Sequence, residues 1–277
     1  RERTPDGVLD LIGNTPLLRI PSLSKLSGCE ILAKCEFMNP GGSVKDRAAL
    51  WMVQDAIASG ALRPGMTIVE GTAGNTGIGL SLVGKAMGFG VWIVMPNDQS
   101  VEKIRSVELR GADLRLVPPV PFKDENHFYH TARNFAAQDP DRLWWANQFE
   151  NLSNFRAHAL GTGPEIHRAL GDGLDYFVSV AGTGGTIAGV SAYLAENHPK
   201  AKTILIDPDG SGLCRYVKTG EIASNASSFT EGIGIMRLTD NFKQARIHDA
   251  FTLPDQDLYT VAQFVREHDG LLLGSSS

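Results

Sequence analysis

Short apolar runs alternate along this chain with stretches whose apolar residues recur at helical spacing. The strand-like runs are 31–34, 67–70, 91–95, 113–117, 176–180, 202–206 and 271–273, and the helix-like stretches are 44–58, 76–87, 101–110, 127–138, 164–170, 186–197 and 255–268. In the second helical stretch, Ile78, Leu82, Val83 and Ala86 form the stripe expected of a helix laid on a sheet. Strand–helix–strand repetition predicts parallel sheets with helices on both faces. The repeats fall into two groups, before and after residue 150 or so. The expected fold class is therefore α/β, with two doubly wound α/β domains and mostly parallel sheets.

Ligands in open α/β sheets sit at the carboxyl ends of the strands. Of the 30 glycines, 13 cluster there, at Gly41-Gly42, from Gly71 to Gly79, from Gly182 to Gly189, at Gly232 and Gly234, and at Gly274. Such placement suits a backbone that must approach a ligand closely.

Charge and cysteine content narrow the classes. Lys and Arg number 26 against 31 Asp and Glu, a net charge of −5, which argues against a nucleic-acid partner. No apolar run reaches the ~18 residues of a membrane-spanning helix. Cys29, Cys35 and Cys214 are too few, and too far from C-x-x-C spacing, for a disulfide framework. A reducing, cytoplasmic setting is expected. The chain opens on Arg1 and stops at Ser277, and its C-terminal end is expected to continue.

Four segments carry candidate chemistry. In Asn39-Pro-Gly-Gly-Ser-Val-Lys45-Asp-Arg47, Ser43 and Asp46 read as a capping box, which puts Lys45 in a first helical turn. A cation there is disfavoured by roughly 0.3–1 kcal/mol. That field, with Arg47 nearby, lowers an amine's pKa and suits Schiff-base chemistry. The alternative is an exposed lysine on an amphipathic helix. In the second segment, the strand from Tyr176 runs into Gly182-Thr183-Gly184-Gly185-Thr186, a cradle for a phosphate or simply a tight packing turn. It is neither a P-loop nor a clean G-x-G-x-x-G, because Ile187 stands at the third glycine position, although Asp207 stands near the place of a ribose-binding acid. The third segment, Thr72-Ala73-Gly74-Asn75-Thr76, repeats the design, as a helix cap or as a carboxylate site. The last, Gly274-Ser275-Ser276-Ser277, is a hydroxyl-rich end or a solvated tail. His127 and His130, three apart, lack a third ligand nearby, and no metal site is expected.

Taken in order, Leu11-Ile-Gly-Asn-Thr-Pro-Leu17, Asn39 to Arg47, Thr72 to Gly79, Asn147-Gln148-Phe149, Gly182 to Thr186, Glu231-Gly-Ile-Gly234 and Gly274 to Ser277 resemble the cysteine synthase/cystathionine β-synthase family of fold-type II pyridoxal 5′-phosphate (PLP) enzymes. The resemblance implies PLP as cofactor, Lys45 as Schiff-base and proton-shuttling lysine, and Gly182, Thr183, Gly184, Gly185 and Thr186 around the phosphate. It further implies Asn75 at the ring 3′-oxygen, Ser276 at the pyridine nitrogen, and Thr72, Ala73, Gly74, Thr76 and Gln148 at the substrate carboxylate. A serine at the ring nitrogen makes PLP a weaker electron sink than an aspartate would, favouring β-elimination over transamination. The implied activity makes L-cysteine from O-acetyl-L-serine and sulfide through an aminoacrylate. Alternatives are a desulfhydrase, which breaks cysteine into sulfide, pyruvate and ammonia, and a non-catalytic, partner-binding homologue. The resemblance also implies a homodimer, with a smaller mobile domain over 38–151 and a larger one from 1–37 and 152–277. Ala73 departs from the family, which usually has serine there.

Overall fold

Apart from the run at 271–273, the expected strands and helices form where hydrophobic periodicity places them, with ends shifted by a residue or two, and further short elements join them. In the computed structural model, which describes residues 4–224, 226–274 and 276, the chain begins with β1 (Leu17–Arg19), α1 (Pro21–Ser27) and β2 (Leu32–Lys34). It continues through α2 (Lys45–Ala58), β3 (Thr67–Gly71), α3 (Asn75–Ala86), β4 (Gly90–Pro96), α4 (Val101–Glu108), β5 (Asp113–Val117), α5 (Phe128–Gln138), β6 (Leu143–Trp145) and α6 (Ser153–Ala157). After a π-helical turn at His158–Thr162 come α7 (Gly163–Leu170), β7 (Tyr176–Ser179), α8 (Gly185–Asn197), β8 (Lys202–Pro208), α9 (Leu213–Thr219), β9 (Asp249–Leu253) and α10 (Asp255–Asp269).

Contacts sort the chain into two units. One comprises the residues up to Gly13 with Glu36–Ala157, and the other Asn14–Cys35 with the chain from His158. The expected grouping of 1–37 with the C-terminal part therefore differs at its start. Leu9 and Ile12 pack on the core of the first unit, which draws that segment there.

The first unit is built on a parallel sheet in the order β5-β4-β3-β6. Alternate residues of a strand face opposite ways, so a sheet covered on both sides must be apolar on both. Ile68, Val91, Ile93 and Met95 join Ala49, Met52 and Val53 of α2 and Leu80 and Val83 of α3 in one cluster. Their neighbours Val69 and Val94 pack on the other face with Ala132 and Ala136 of α5. The expected stripe on α3 needs one correction. Ala86 is exposed, while Leu80 is fully buried, because the first two turns of α3 are enclosed nearly all round. A Cβ on Gly79 would stand 3.0 Å from the Lys45 carbonyl oxygen, so glycine lets α3 press against the first turn of α2.

The second unit holds the parallel sheet β7-β8-β9. Leu205 and Ala250, with Phe177, pack against Ile187, Leu213 and Phe242. Among the described residues the opposite face is open: Tyr176, Val178 and Phe251 are each about half exposed. The expected two-sided cover thus holds for the first sheet alone. The run at 31–34 joins no parallel sheet. It forms β2, paired antiparallel with β1, and the Lys34 ammonium is held by Glu165 at 2.7 Å. Nor does 271–273 form a strand, and Leu272 is largely exposed.

Ile93, fully buried on β4, tests the first core. Ile93→Ala is expected to lower unfolding stability by about 2–5 kcal/mol in denaturant titration, combining lost transfer energy with a residual cavity. A loss well below that range would mean that α2 and α3 can close the gap.

Candidate active site

Pro40, Gly41 and Gly42 turn the chain into α2, with Gly42 at a φ of +84° that favours glycine. The expected capping box does not form there. Ser43 Oγ accepts the Lys45 N–H at 3.2 Å, while Asp46 reaches past Ser43 to accept the N–H of Gly41. Asp46 thereby ties down the turn instead of capping the helix. Its carboxyl is wholly buried with Oδ1 unpartnered, and burial pushes its pKa up to about 6.

Lys45 opens α2 as expected, and loss of water holds its amine below the ordinary lysine value of 10.5. Arg47 is not the cause. Its guanidinium grips Glu36 in two bonds of 2.7 and 2.9 Å, and Asn39 links Glu36 to the Gly13 N–H. These buried polar groups hold the approach to α2 in place. Among the described residues no carboxylate pairs with the Lys45 amine, so it is free to act as a nucleophile or base.

The third candidate segment, the 72–76 loop, lies in the same unit as Lys45. After β3 the chain forms the 72–76 loop and enters α3 at Asn75, with Gly74 as an N-cap that offers no side-chain acceptor. Thr72 Oγ1 accepts the Gly74 N–H at 3.2 Å, and the Thr76 hydroxyl donates to Gln148 Oε1. Thr72, Thr76 and Gln148 are buried, Ala73 and Gly74 half-buried and Asn75 exposed. Gln148, 72 residues from Thr76 in sequence, is thus brought to the loop.

Glu70 escaped the sequence reading. It sits at the end of β3 with no exposure, accepting the N–H of Gly71 at 3.0 Å and of Gln148 at 3.2 Å. Burial outweighs these bonds and pushes its pKa up to about 8. An acid inside the run Thr67-Ile68-Val69-Glu70-Gly71 was the available signal.

In the second unit, β7 leads to the 182–186 loop and α8. Gly184 is the N-cap at a φ of +89°, and no side chain caps the helix, so its first N–H groups are open to an anion. A Cβ on Gly182 would stand 2.3 Å from the Gly232 carbonyl oxygen, and one on Gly184 2.6 Å from Phe242, so both glycines also serve packing. Thr186 Oγ1 is hydrogen-bonded to His158 Nε2 at 3.2 Å, and His158 Nδ1 to Thr162 at 2.9 Å. The Thr183 carbonyl accepts the Thr239 hydroxyl at 2.7 Å. No pattern in the sequence linked His158 or Thr239 to this loop. Uncapped N–H groups beside glycine backbone and a threonine hydroxyl fit a phosphate monoester.

The remaining candidates separate. Ser276 is exposed, and its neighbours Ser275 and Ser277 lie outside the described residues. Asp207 is fully buried and accepts the Cys214 N–H at 2.7 Å in the first turn of α9, so its side chain is not presented to a ribose at the surface. His127 Nδ1 accepts the Tyr129 N–H at the start of α5, and His130 bonds the Phe122 carbonyl. Among the described residues no cluster of three His, Cys, Asp or Glu stands ready for a metal, and no helix is long and apolar enough to cross a membrane.

The family described as "Pyridoxal-phosphate dependent enzyme" matches residues 8–277. The chain is 45% identical to a cysteine synthase of Dictyostelium discoideum, over 98% of its own length and 74% of that protein's. It is 48% identical to cysteine synthase 1 of Neurospora crassa, over 98% and 73%. O-acetyl serine sulfhydrylase isoform 3 from Entamoeba histolytica superposes with a TM-score of 0.89 at 33% identity, covering 100% of this chain and 81% of that one. The chain is thus a PLP-dependent enzyme, and it belongs to the cysteine synthase/cystathionine β-synthase family of fold-type II. PLP is its cofactor.

The Glu70 pKa yields a stability test. Unfolded, this carboxyl ionises near 4.5; folded, it keeps its proton to about 8. Between those values the unfolded state binds fewer protons, so this group makes stability fall as pH rises, levelling above about 8. Glu70→Gln is expected to flatten that fall when unfolding midpoints are compared from pH 5 to 8. Parallel curves for the two proteins would place the folded pKa near its ordinary value.

Proposed function

We propose that this enzyme makes L-cysteine from O-acetyl-L-serine and sulfide by β-replacement. The observation that carries the reading is Lys45, an amine at a helix start, deprived of water and paired with no carboxylate among the described residues. The cysteine synthases it resembles, and the O-acetyl serine sulfhydrylase, support the choice of substrates.

PLP, when bound, supplies the electron sink that lets a proton leave the substrate Cα and a substituent leave Cβ. Lys45 anchors the cofactor through its amine and then, with its pKa lowered, takes the proton from Cα. Gly182, Thr183, Gly184, Gly185 and Thr186 would hold the phosphate by backbone N–H groups and hydroxyls. Asn75 would meet the ring oxygen and Ser276 the ring nitrogen. Thr72, Gly74, Thr76, Gln148 and the N–H of Ala73 receive the substrate carboxylate. For the carboxylate to enter, the Thr76–Gln148 hydrogen bond must exchange for bonds to the ligand. Closure of the loop over the substrate excludes water before sulfide adds.

The enzyme is proposed to work as a cytoplasmic homodimer. The free thiols Cys29, Cys35 and Cys214 are in keeping with a reducing compartment, and exposed Leu11, Phe37 and Met38 offer apolar surface for a second copy.

Ala73 favours a second reading, the breakdown of cysteine to sulfide, pyruvate and ammonia. A missing hydroxyl donor weakens loop closure by about 0.5–1.5 kcal/mol, and the upper figure shifts a partition ratio by about tenfold. Initial rates distinguish the two. With O-acetylserine and sulfide, cysteine formation is expected to exceed pyruvate formation from cysteine alone at matched concentrations, with Ala73→Ser reducing the pyruvate. Faster breakdown than synthesis would replace the first reading with the second. Lys45→Ala is expected to fold yet lose nearly all turnover and the cofactor's protein-bound absorbance. Near-normal rates would send the search to another lysine.

A further inference from the structure

We propose that Glu70 positions Gln148 for the substrate carboxylate, acting from behind the loop without touching substrate. The inference rests on the reading of Thr76 and Gln148 as the carboxylate site.

A carboxyl with no exposed surface, set in an apolar strand, is costly unless its hydrogen bonds are needed. Those bonds fall at one point of the sheet. β3 and β6 run parallel, and the Ala146 N–H still donates to the Val69 carbonyl at 3.0 Å. Asn147 then turns the chain away at a φ of +51°, a left-handed conformation unusual for a residue other than glycine. Past that turn the Gln148 N–H donates to Glu70 Oε2, while Oε1 takes the N–H of Gly71, the last residue before the 72–76 loop. The side chain of Glu70 therefore supplies the rung that the departing backbone no longer makes. The Asn147 N–H and the Gln148 side-chain amide also act on this carboxyl, opposing the rise that burial gives its pKa. From the other side, Asn154 Nδ2 holds the Gln148 carbonyl at 3.0 Å.

Gln148 is consequently fixed at its N–H, its carbonyl and its side chain, which meets Thr76. Remove the acceptor at Glu70, and the strained turn at Asn147 loses the bonds that offset it. The Gln148 amide then no longer meets the 72–76 loop in one geometry. Glu70 governs how well the carboxylate is bound, not how the proton moves at Cα.

The test is a double-mutant cycle on the holoenzyme with Glu70→Gln, Gln148→Ala and the double variant. Each is read by KM for O-acetylserine, by kcat, and by the dissociation constant of L-serine, which lacks the acetyl leaving group, from calorimetry. Glu70→Gln, which loses one acceptor, is expected to raise KM and the serine constant about fivefold to tenfold while kcat stays within about twofold. In the Gln148→Ala background the same change is expected to add nothing further. Equal increments in both backgrounds would overturn the inference, because Glu70 would then act independently of Gln148. Parental affinity in Glu70→Gln beside weakened Gln148→Ala overturns the inference alone. Parental affinity in Gln148→Ala overturns the carboxylate-site reading itself. Should Glu70→Gln fail to fold, Glu70→Asp, shorter by one methylene, is expected to raise KM likewise, and an unchanged KM in that folded variant refutes the proposal.

Discussion

An α-helix leaves its first N–H groups without partners inside the helix, and the chemistry of this protein depends on where that deficit is left open. Most directly, α3 and α8 begin at glycine N-caps that offer no side-chain acceptor. Elsewhere the chain fills the same need from within: Ser100 caps α4, His127 caps α5 and Asp207 caps α9. An uncapped helix start costs stability and gains a place for an anion. Of the helix starts without a side-chain cap, these two follow glycine loops at strand ends, the places proposed above for the cofactor phosphate and the substrate carboxylate. The helix start at α2 works in the opposite sense, since a lysine there is discouraged from holding its charge.

Open helix starts serve only if the chain leading into them is rigid. Buried polar side chains provide that rigidity in the first unit. Arg47 and Glu36 with Asn39 hold the approach to α2, Asp46 holds the turn at Gly41, and Glu70 joins the ends of β3 and β6. Each is an expensive group to bury, tolerable because specific N–H donors or countercharges meet it. The elevated pKa values of Asp46 and Glu70 are the electrostatic trace of that cost. Asp46 stands next to Lys45 in sequence, and Glu70 two residues before Thr72. Ala73 stands out against this background, because it removes a donor from a loop whose neighbours are otherwise firmly tied.

Much of this was legible in the residues themselves. Alternating apolar runs and helical stripes determined an α/β fold with parallel sheets, because period and composition decide which backbone form buries a given face. Glycine clusters at strand ends marked the loops proposed to hold ligands, and the motif around Lys45 marked the water-deprived amine at the start of α2. The tertiary structure decided what depends on distant partners. Gln148 meets Thr76, His158 meets Thr186 and Glu70 meets Gln148 across 72, 28 and 78 residues. It also reassigned local signals: Asp46 to Gly41 and not Ser43, Arg47 to Glu36 and not Lys45, Asp207 to a helix cap and not a ribose. Periodicity reports only which side of an element faces the core. The hydrogen-bond partner a buried polar side chain finds there, and hence its charge and role, is settled by packing between elements remote in sequence.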